Sequence, residues 1–439
     1  MRKGFIFDCN KCVNCKACSA ACILENGWTV HPRNIFSYNS EAELLLPVIN
    51  LSLACNHCES AVCMKGCPVS AYSREPETRA VLLDDTKCIG CKYCQWNCPY
   101  DAPKYDQGSG TMAKCNFCYN GLIEGREPAC SAACPTGALS YGPLSEQNTD
   151  NSFSWFPEKG IRPAIEFNAK PAKAPLKIIP EDKFSKIVIE QSKKEKNISS
   201  EFSLIIFSFL STISVAEILT SFIKGEFPEK KIFLPVLLMA GLVSFIHLGR
   251  KLRSWRSVIN IKSSPLSREI AAFIVYSVIS LLAVFLLIPG LLIASSIAGL
   301  FFLLMIDSVY LFADRSKKVI INSGQTFISA LLIGSFLSGS VLPFTFIALI
   351  KVALSLYNLS VKKLQSTYFS LRFLRIAFLV VSGASMISHI SYNDFLIVFL
   401  FLAGELFDRI IFYIDFNPPD INRLIDEQQN IQKYEKKSG

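Results

Sequence analysis

Sixteen cysteines between residues 12 and 134 fall into four short groups. Cys12, Cys15, Cys18 and Cys22 have the spacing C-x2-C-x2-C-x3-C, and Cys88, Cys91, Cys94 and Cys98 repeat it. Cys55, Cys58, Cys63 and Cys67 read C-x2-C-x4-C-x3-C, while Cys115, Cys118, Cys130 and Cys134 carry an x11 gap between their two pairs. Three groups end in Cys-Pro. Thiolates this close wrap a loop around one face of an iron–sulfur cubane, and a closing Cys-Pro turns away toward a neighbouring cluster. Sixteen thiolates therefore suit four 4Fe-4S clusters. Zinc also takes Cys-x-x-Cys pairs, but its two pairs usually stand a dozen or more residues apart. A disulfide framework is disfavoured by the odd total of 17 cysteines and by partners only three residues apart. Cys9, the seventeenth, reads as a structural thiol.

The elements that must carry these groups differ sharply in composition along the sequence. Residues 1–145 are rich in turn formers and poor in long apolar periodicity, so this segment needs inorganic staples. Residues 146–200 shift to Pro, Lys and Ser, as in Lys170-Pro171-Ala172-Lys173-Ala174-Pro175, and read as a solvated linker. From 201 to 415, eight apolar windows follow one another, near 202–223, 232–249, 268–288, 291–313, 324–340, 342–360, 373–390 and 393–414. Each is about long enough to cross roughly 30 Å of hydrocarbon. Pro289-Gly290 and Ser338-Gly339-Ser340 supply hairpins between windows, and a polar tail fills 416–439. The fold class is an α+β ferredoxin-like polycluster domain followed by an all-α polytopic membrane domain of about eight transmembrane helices.

With 51% hydrophobic residues, the sequence is too apolar for an ordinary soluble protein of 439 residues. A net charge of +9 raises the question of nucleic acid, yet Lys and Arg gather in loops between apolar runs, so the expected partner is membrane lipid. No secretory signal opens the sequence. Eight crossings place both ends on one side, together with the basic loops after windows two, four and six. Arg250, Lys251, Arg253, Arg256, Lys262 and Arg268 form the first of these, Arg315, Lys317 and Lys318 the second, and Lys362, Lys363, Arg372 and Arg375 the third. That bias predicts a multi-pass inner-membrane protein whose cysteine domain faces the cytoplasm.

Electrons entering clusters from a membrane need a donor, either a histidine-held haem or a quinol. Of four histidines, His31, His57, His247 and His389, only the last two fall in the apolar half, each closing its window but expected on opposite faces of the membrane. They cannot clamp one haem between them; a quinol is the favoured donor, with a haem held by one histidine and another axial ligand as the lesser alternative. His247 closes window two and Glu269 opens window three, both on the cluster side. A neutral imidazole accepts protons near physiological pH, and a carboxylate can orient it or relay the proton. A snorkelling helix end and a favourable carboxylate at a helix N-terminus are the plainer alternatives. Asp307 and Tyr310, near the cluster-side end of window four, and Arg409 are candidates for the cavity lining. Glu405 and Arg409, four apart, are expected to pair as a structural ion pair; Lys351 stands mid-window without an evident partner.

The motifs Phe7-Asp8, Cys55-Asn56-His57-Cys58, Cys88-Ile89-Gly90-Cys91, Cys98-Pro99-Tyr100, Lys114-Cys115 and Cys134-Pro135 resemble the electron-transfer subunit of dimethyl sulfoxide reductase and its molybdoenzyme relatives. The apolar half resembles the same enzyme's anchor subunit, through His247-Leu248-Gly249, Ser267-Arg268-Glu269-Ile270, Gly404-Glu405 with Arg409, and Phe412-Tyr413. Arg250-Lys251 stand where that family commonly has a proline. The resemblance implies a fusion of two subunits, with quartets one and four exchanging their last cysteines, and two and three likewise. The implied sets are Cys12/Cys15/Cys18/Cys134, Cys22/Cys115/Cys118/Cys130, Cys55/Cys58/Cys63/Cys98 and Cys67/Cys88/Cys91/Cys94. It also implies menaquinol oxidation at His247 and Glu269, and a molybdopterin-containing catalytic partner that reduces dimethyl sulfoxide or a similar acceptor in anaerobic respiration. Two other readings stand beside it: a quinone-reducing anchor fed by a formate dehydrogenase or hydrogenase, and a zinc-stabilised membrane protein without redox chemistry.

Overall fold

The computed structural model describes residues 2–38, 48–145, 156, 160–168, 198–313, 322–361, 367–387, 395–416, 418 and 421. The Lys170 to Pro175 run, Arg315, Lys317, Lys318, Lys362, Lys363, His389 and the tail beyond 421 lie outside the described residues. The protein forms two units: Met1–Glu195 with Leu248–Ser263 and Pro418–Gly439, and Lys196–His247 with Ser264–Asn417.

The first unit is organised around strand β1 (Lys3–Phe7), whose alternating side chains put Phe5 and Phe7 into the core. Much later segments, β8 (Leu139–Pro143) antiparallel and β9 (Ile165–Phe167) parallel, flank it. Phe5 stands opposite both Tyr141 and Ile165. Among the described residues three two-stranded hairpins complete the β structure: β2 (Asn34–Tyr38) with β3 (Ile49–Leu53), β4 (Tyr72–Arg74) with β5 (Val81–Leu83), and β6 (Lys104–Asp106) with β7 (Thr111–Ala113). The helices are short: α1 (Ala17–Asn26), α2 (Val62–Gly66), α3 (Tyr93–Asn97), α4 (Tyr119–Ile123) and α5 (Ala129–Ala132). α2 and α3 each carry the third cysteine of a quartet, Cys63 or Cys94, and each is followed by Cys-Pro and a hairpin.

Two apolar clusters hold this unit. One gathers Phe5, Phe7, Leu51, Phe117, Phe156 and Phe167; the other gathers Val69, Val81, Ile89 and Met112. Cysteines are embedded in both, so a small core is completed around the cluster ligands. The expected linker is corrected here. Phe156, Ile161, Ile165 and Phe167 are buried, and Phe156 stacks on Tyr100 at 5.5 Å. β9 pairs beside β1 because this stretch carries four large apolar side chains that the surrounding Pro and Lys obscure in the composition. Ile421, expected in a polar tail, is buried in the same core.

The basic stretch expected as a membrane loop also belongs to this unit. Leu248 packs on the second apolar cluster, and residues Lys251–Val258 form a 3-10 turn. The Arg250 amide donates to the Ile89 carbonyl at 3.1 Å, and the Asn260 amide donates to the Pro68 carbonyl at 3.2 Å. Gly249 lies so close to Gly110 that a Cβ would fall 2.1 Å from its carbonyl oxygen. We call Leu248–Ser263 the strap.

The second unit is helical: α6 (Ile198–Lys224), α7 (Lys230–Ser244), α8 (Pro265–Leu286), α9 (Pro289–Ala313), α10 (Thr326–Leu337), α11 (Val341–Val361), α12 (Thr367–Ile387) and α13 (Phe395–Asp415). Among the described residues, Glu201–Lys224, Pro265–Leu286 and Pro289–Ala313 are long and apolar enough to cross a membrane. α8 begins on Ser264, whose hydroxyl accepts from the Ser267 amide, with Pro265 in the first turn where its missing N–H costs nothing. Helix gives way between α8 and α9 at Leu287, with φ +56°, just before Pro289. Small hydroxyls tie helices together: Ser214 with Tyr276 and Ser280 with Ser295, both at 2.6 Å. Ile274, Val278, Phe285, Ile297 and Phe301 remain exposed on α8 and α9, as lipid-facing positions require.

Candidate functional site

All seventeen cysteines are free thiols. Their loops are curled by left-handed residues, among them Asn14, Lys16, Lys92, Phe117 and Cys118, which turn amide N–H groups inward. Gly90, at φ +69°, does the same in the third quartet, and its amide donates to Cys88 Sγ at 3.4 Å. Equivalent N–H···S bonds run from Ala71 to Cys67, Ala102 to Cys98 and Phe117 to Cys115, at 3.3 to 3.4 Å. Such bonds stabilise a thiolate and tune any cluster bound to it.

The thiols gather across quartets. Cys12 faces Cys15, Cys18 and Cys134; Cys22 faces Cys130 and Cys118 and, with less influence, Cys18; Cys58 faces Cys55, Cys63 and Cys98; Cys94 faces Cys67, Cys88 and Cys91. Burial, followed by repulsion from neighbouring thiolates, pushes Cys58 well above the usual thiol range. Burial likewise pushes Cys22 and Cys63 up to about 12, partly offset by Arg33 and Lys114 respectively. Thiols held together this way ionise only when a metal takes their charge. A small pocket, open on one side, is lined by Cys12, Cys15, Cys18 and Cys134 with Ser52, Phe7 and Thr136. Among the described residues no three His, Cys, Asp or Glu side chains converge on a single-ion position; these four thiols instead ring a space. A chamber walled by four thiols and inward amides is a fitting receptacle for an iron–sulfur cubane. Cys9 is buried in the main core, and burial pushes its thiol up to about 12.

The strap addresses one of these sets. Arg253 Nη1 donates to the carbonyls of Asp85 (2.7 Å) and Cys88 (3.1 Å). Asn260 Nδ2 donates to the Cys67 carbonyl at 2.8 Å, Arg256 Nη1 to the Thr86 carbonyl at 3.2 Å, and Arg250 Nε to the Ser109 carbonyl at 2.8 Å. Cys67 and Cys88 belong to one thiol set, so the segment that follows His247 in the sequence grips the backbone of that set.

Within the helical unit, Glu269 is buried in the first turns of α8, and the charged groups facing it are Arg409 and Asp307. Arg409 of α13 lies 3.8 Å from Asp307 Oδ1, donates to Ser208 Oγ and the Gly324 carbonyl, and stacks on Phe412 at 4.4 Å. Tyr310 and Tyr413 share a hydrogen bond beside the same guanidinium. The structure thus brings together Glu269, Asp307, Tyr310 and Arg409, with Tyr413 joining them. Asp307 has a further role, accepting from the Thr326 and Phe327 amides and so capping α10. His247 occupies the turn behind α7, half-buried, as the last residue before the strap.

The expected Glu405–Arg409 pair is corrected. Glu405 Oε2 instead lies 2.5 Å from Lys351 Nζ, and Arg409 pairs with Asp307. Lys351 also reaches Asp408 Oδ2 at 3.1 Å and donates to Ser329 Oγ at 2.8 Å, while Asp408 Oδ1 takes Arg375 Nη1 at 2.9 Å. Spacing of four on α13 favoured a local pair, but Lys351 arrives from α11 with a shorter, fully buried contact. Asp408 was the overlooked residue; its position three after Glu405 on a helix face that carries Arg409 was the available signal.

Two family models match the sequence: a 4Fe-4S dicluster domain over residues 47–144 and the DMSO reductase anchor subunit (DmsC) over 197–362. The protein is similar to an anaerobic dimethyl sulfoxide reductase polypeptide of Escherichia coli (strain K12), with 39% identity over 153 residues, 33% of this sequence and 74% of that protein. It is also similar to the thiosulfate reductase electron transfer subunit PhsB of Salmonella typhi, with 33% identity over 161 residues, 36% of this sequence and 82% of the other. A tetrathionate reductase subunit of Salmonella typhimurium shares 33% identity over 155 residues, 34% of this sequence and 60% of that one.

Proposed function

Because this protein belongs to the family of iron–sulfur subunits typified by that of dimethyl sulfoxide reductase, with the same system's anchor domain fused behind it, we propose that it oxidises menaquinol in its helical unit and passes the electrons through four 4Fe-4S clusters to a catalytic partner. That partner carries molybdopterin and reduces dimethyl sulfoxide or a related sulfur or nitrogen oxide. The observation that carries the reading is the strap. The anchor-like residue His247 runs directly into a segment that grips Cys67 and Cys88, so one polypeptide links the helical unit to a candidate cluster.

The clusters, when bound, supply one-electron carriers; the protein's own residues supply binding and proton handling. Oxidation of a quinol to a quinone releases two electrons and two protons. In this reading Glu269, beside Arg409 and Asp307, holds a proton, the Tyr310–Tyr413 pair donates a hydrogen bond to a quinol oxygen, and His247 takes the second proton. Eight membrane crossings and a cytoplasmic cluster domain complete the proposal, supported by the apolar windows and by the Lys and Arg that follow windows two and four; Arg372 and Arg375, read as loop residues after window six, instead lie buried in α12, paired with Asp415 and Asp408. Protons released on that same side would not cross the bilayer, which makes the step electroneutral. Cysteines introduced at Lys224 and Lys317, labelled from outside intact cells, test the orientation: only Lys224→Cys should react.

The test of the pocket uses the full-length protein, purified anaerobically in detergent. Glu269→Gln and His247→Ala should each abolish cluster reduction by a menaquinol analogue and leave reduction by dithionite intact. Wild-type quinol kinetics in both variants would remove the pocket from the account.

A further inference from the structure

Arg33 is among the largest fully buried side chains of the protein, 1% exposed. It precedes β2, and its Nη1 reaches across the hairpin to Ser52, 3.1 Å from Oγ and 3.4 Å from the carbonyl. Its guanidinium carbon lies 4.3 Å above the Phe5 ring. Nε and Nη2 are buried and, among the described residues, have no hydrogen-bond partner. The groups whose charge acts on it most are all cysteine thiols, in decreasing influence Cys130, Cys115, Cys18 and Cys22.

A guanidinium removed from water with two donors unused and thiols in place of a carboxylate carries a desolvation cost that a fold does not keep without an anion. An arginine guanidinium keeps its proton throughout the working pH range, so the group stays charged. Three of its four facing thiols, Cys130, Cys115 and Cys22, belong to one set; Cys18 belongs to the neighbouring set and contacts Ser52 Oγ at 3.4 Å. The orphaned donors and the anionic surroundings therefore point at one place.

We propose that Arg33 is the built-in counter-cation of the cluster held by Cys22, Cys115, Cys118 and Cys130, and that it raises that cluster's reduction potential. This rests on the reading that the cysteine sets hold clusters. Each electron added to a cluster adds one negative charge, which a fixed cation in a dry, low-dielectric site stabilises, so reduction becomes easier there. The cluster of Cys12, Cys15, Cys18 and Cys134 is affected less, since only Cys18 faces the guanidinium. Arg33 is a positioning and tuning residue, and electrons entering the cysteine domain should rest preferentially on the cluster beside it.

The test is an anaerobic EPR redox titration of the full-length protein as wild type, Arg33→Met and Arg33→Lys. Arg33→Met, similar in length but uncharged, should lower one midpoint potential by about 59 mV or more, a tenfold or greater loss in the reduced-to-oxidised ratio at fixed poise. Arg33→Lys should keep most of the wild-type value, and clusters of the second and third quartets should not move. Four unmoved potentials with full iron content in Arg33→Met would overturn the proposal while leaving the clusters in place; a wild-type protein without iron would overturn the underlying reading instead. If Arg33→Met fails to assemble, pulsed EPR on reduced wild-type protein carrying ¹⁵N-arginine decides. A nitrogen coupling to one cluster, lost in Arg33→Lys, is expected, and its absence from the wild type overturns the assignment.

Discussion

Replacing Gly249 by alanine would test how tightly the strap must sit on the cluster domain. The added Cβ would lie 2.1 Å from the Gly110 carbonyl oxygen and 2.7 Å from the Tyr105 hydroxyl. Ordinary contact begins near 3.4 Å, so one backbone has to retreat by roughly 1.3 Å, and Gly110, at φ +65° in its own tight turn, has little freedom to do so. The strap is then the part that moves. Its nearest bonds, Arg250 N to the Ile89 carbonyl and Arg250 Nε to the Ser109 carbonyl, would stretch beyond hydrogen-bond range. Two such bonds at about 0.5–1.5 kcal/mol each put the loss at about 1–3 kcal/mol, which changes the docking equilibrium by roughly 5- to 150-fold. Hydrogen–deuterium exchange reads this directly, because the Arg250 amide is protected only while docked. In Gly249→Ala it should exchange faster by that factor, with quinol-driven cluster reduction slowed and dithionite reduction unchanged. Gly290→Ala, where a Cβ meets nothing within 4 Å, is the control. Wild-type exchange at Arg250 in Gly249→Ala would refute the argument from close approach.

Lys351→Met should destabilise the helical unit by about 3–5 kcal/mol, since it strands Glu405 and Asp408 in a buried network that Arg375 alone then balances. Thermal unfolding in detergent should show the drop, and Lys351→Met with Glu405→Gln should recover part of it; equal melting of the single variant and wild type would count against the network. His57 offers a pH prediction. It is buried, stacks on Phe117 at 3.6 Å, and accepts the Val81 amide on Nδ1 at 2.9 Å. Burial first, then Lys114, Arg74, Arg33 and Arg2, hold its pKa well below 6.5. The unfolded state therefore takes up a proton there that the folded state refuses, and stability present above about pH 6.5 is lost as pH falls, by up to about 1.4 kcal/mol per unit. Cluster bleaching in urea should accelerate below pH 6.5 in the wild type and lose that component in His57→Gln; identical pH profiles would exclude His57 as its source.

The cysteine quartets could be read from spacing because ligands to one cluster face are local in sequence. Their exchange of fourth ligands came from resemblance, since Cys22 and Cys130 are brought together only by the packing of α1 on α5. The strap escaped sequence reading for a physical reason: Arg250, Arg253 and Arg256 look like solvated loop charges until their targets, main-chain carbonyls, are known. β9 was hidden in a Pro- and Lys-rich stretch because three residues of parallel pairing leave no periodicity. Lys351 was visible as a charge within an apolar window, but its partners lie 54 residues away and beyond on another helix, where helical spacing gives no guide. Arg33 carried no signal at all, as an arginine before a strand is ordinarily a surface residue.

Iron and acid-labile sulfide, measured per polypeptide after strictly anaerobic purification and paired with EPR of the reduced protein, test the central claim most directly. Four cubanes require about sixteen of each, together with signals that appear on reduction by a menaquinol analogue. Stoichiometric zinc in place of iron, or an iron-replete protein that no quinol reduces, would contradict the account.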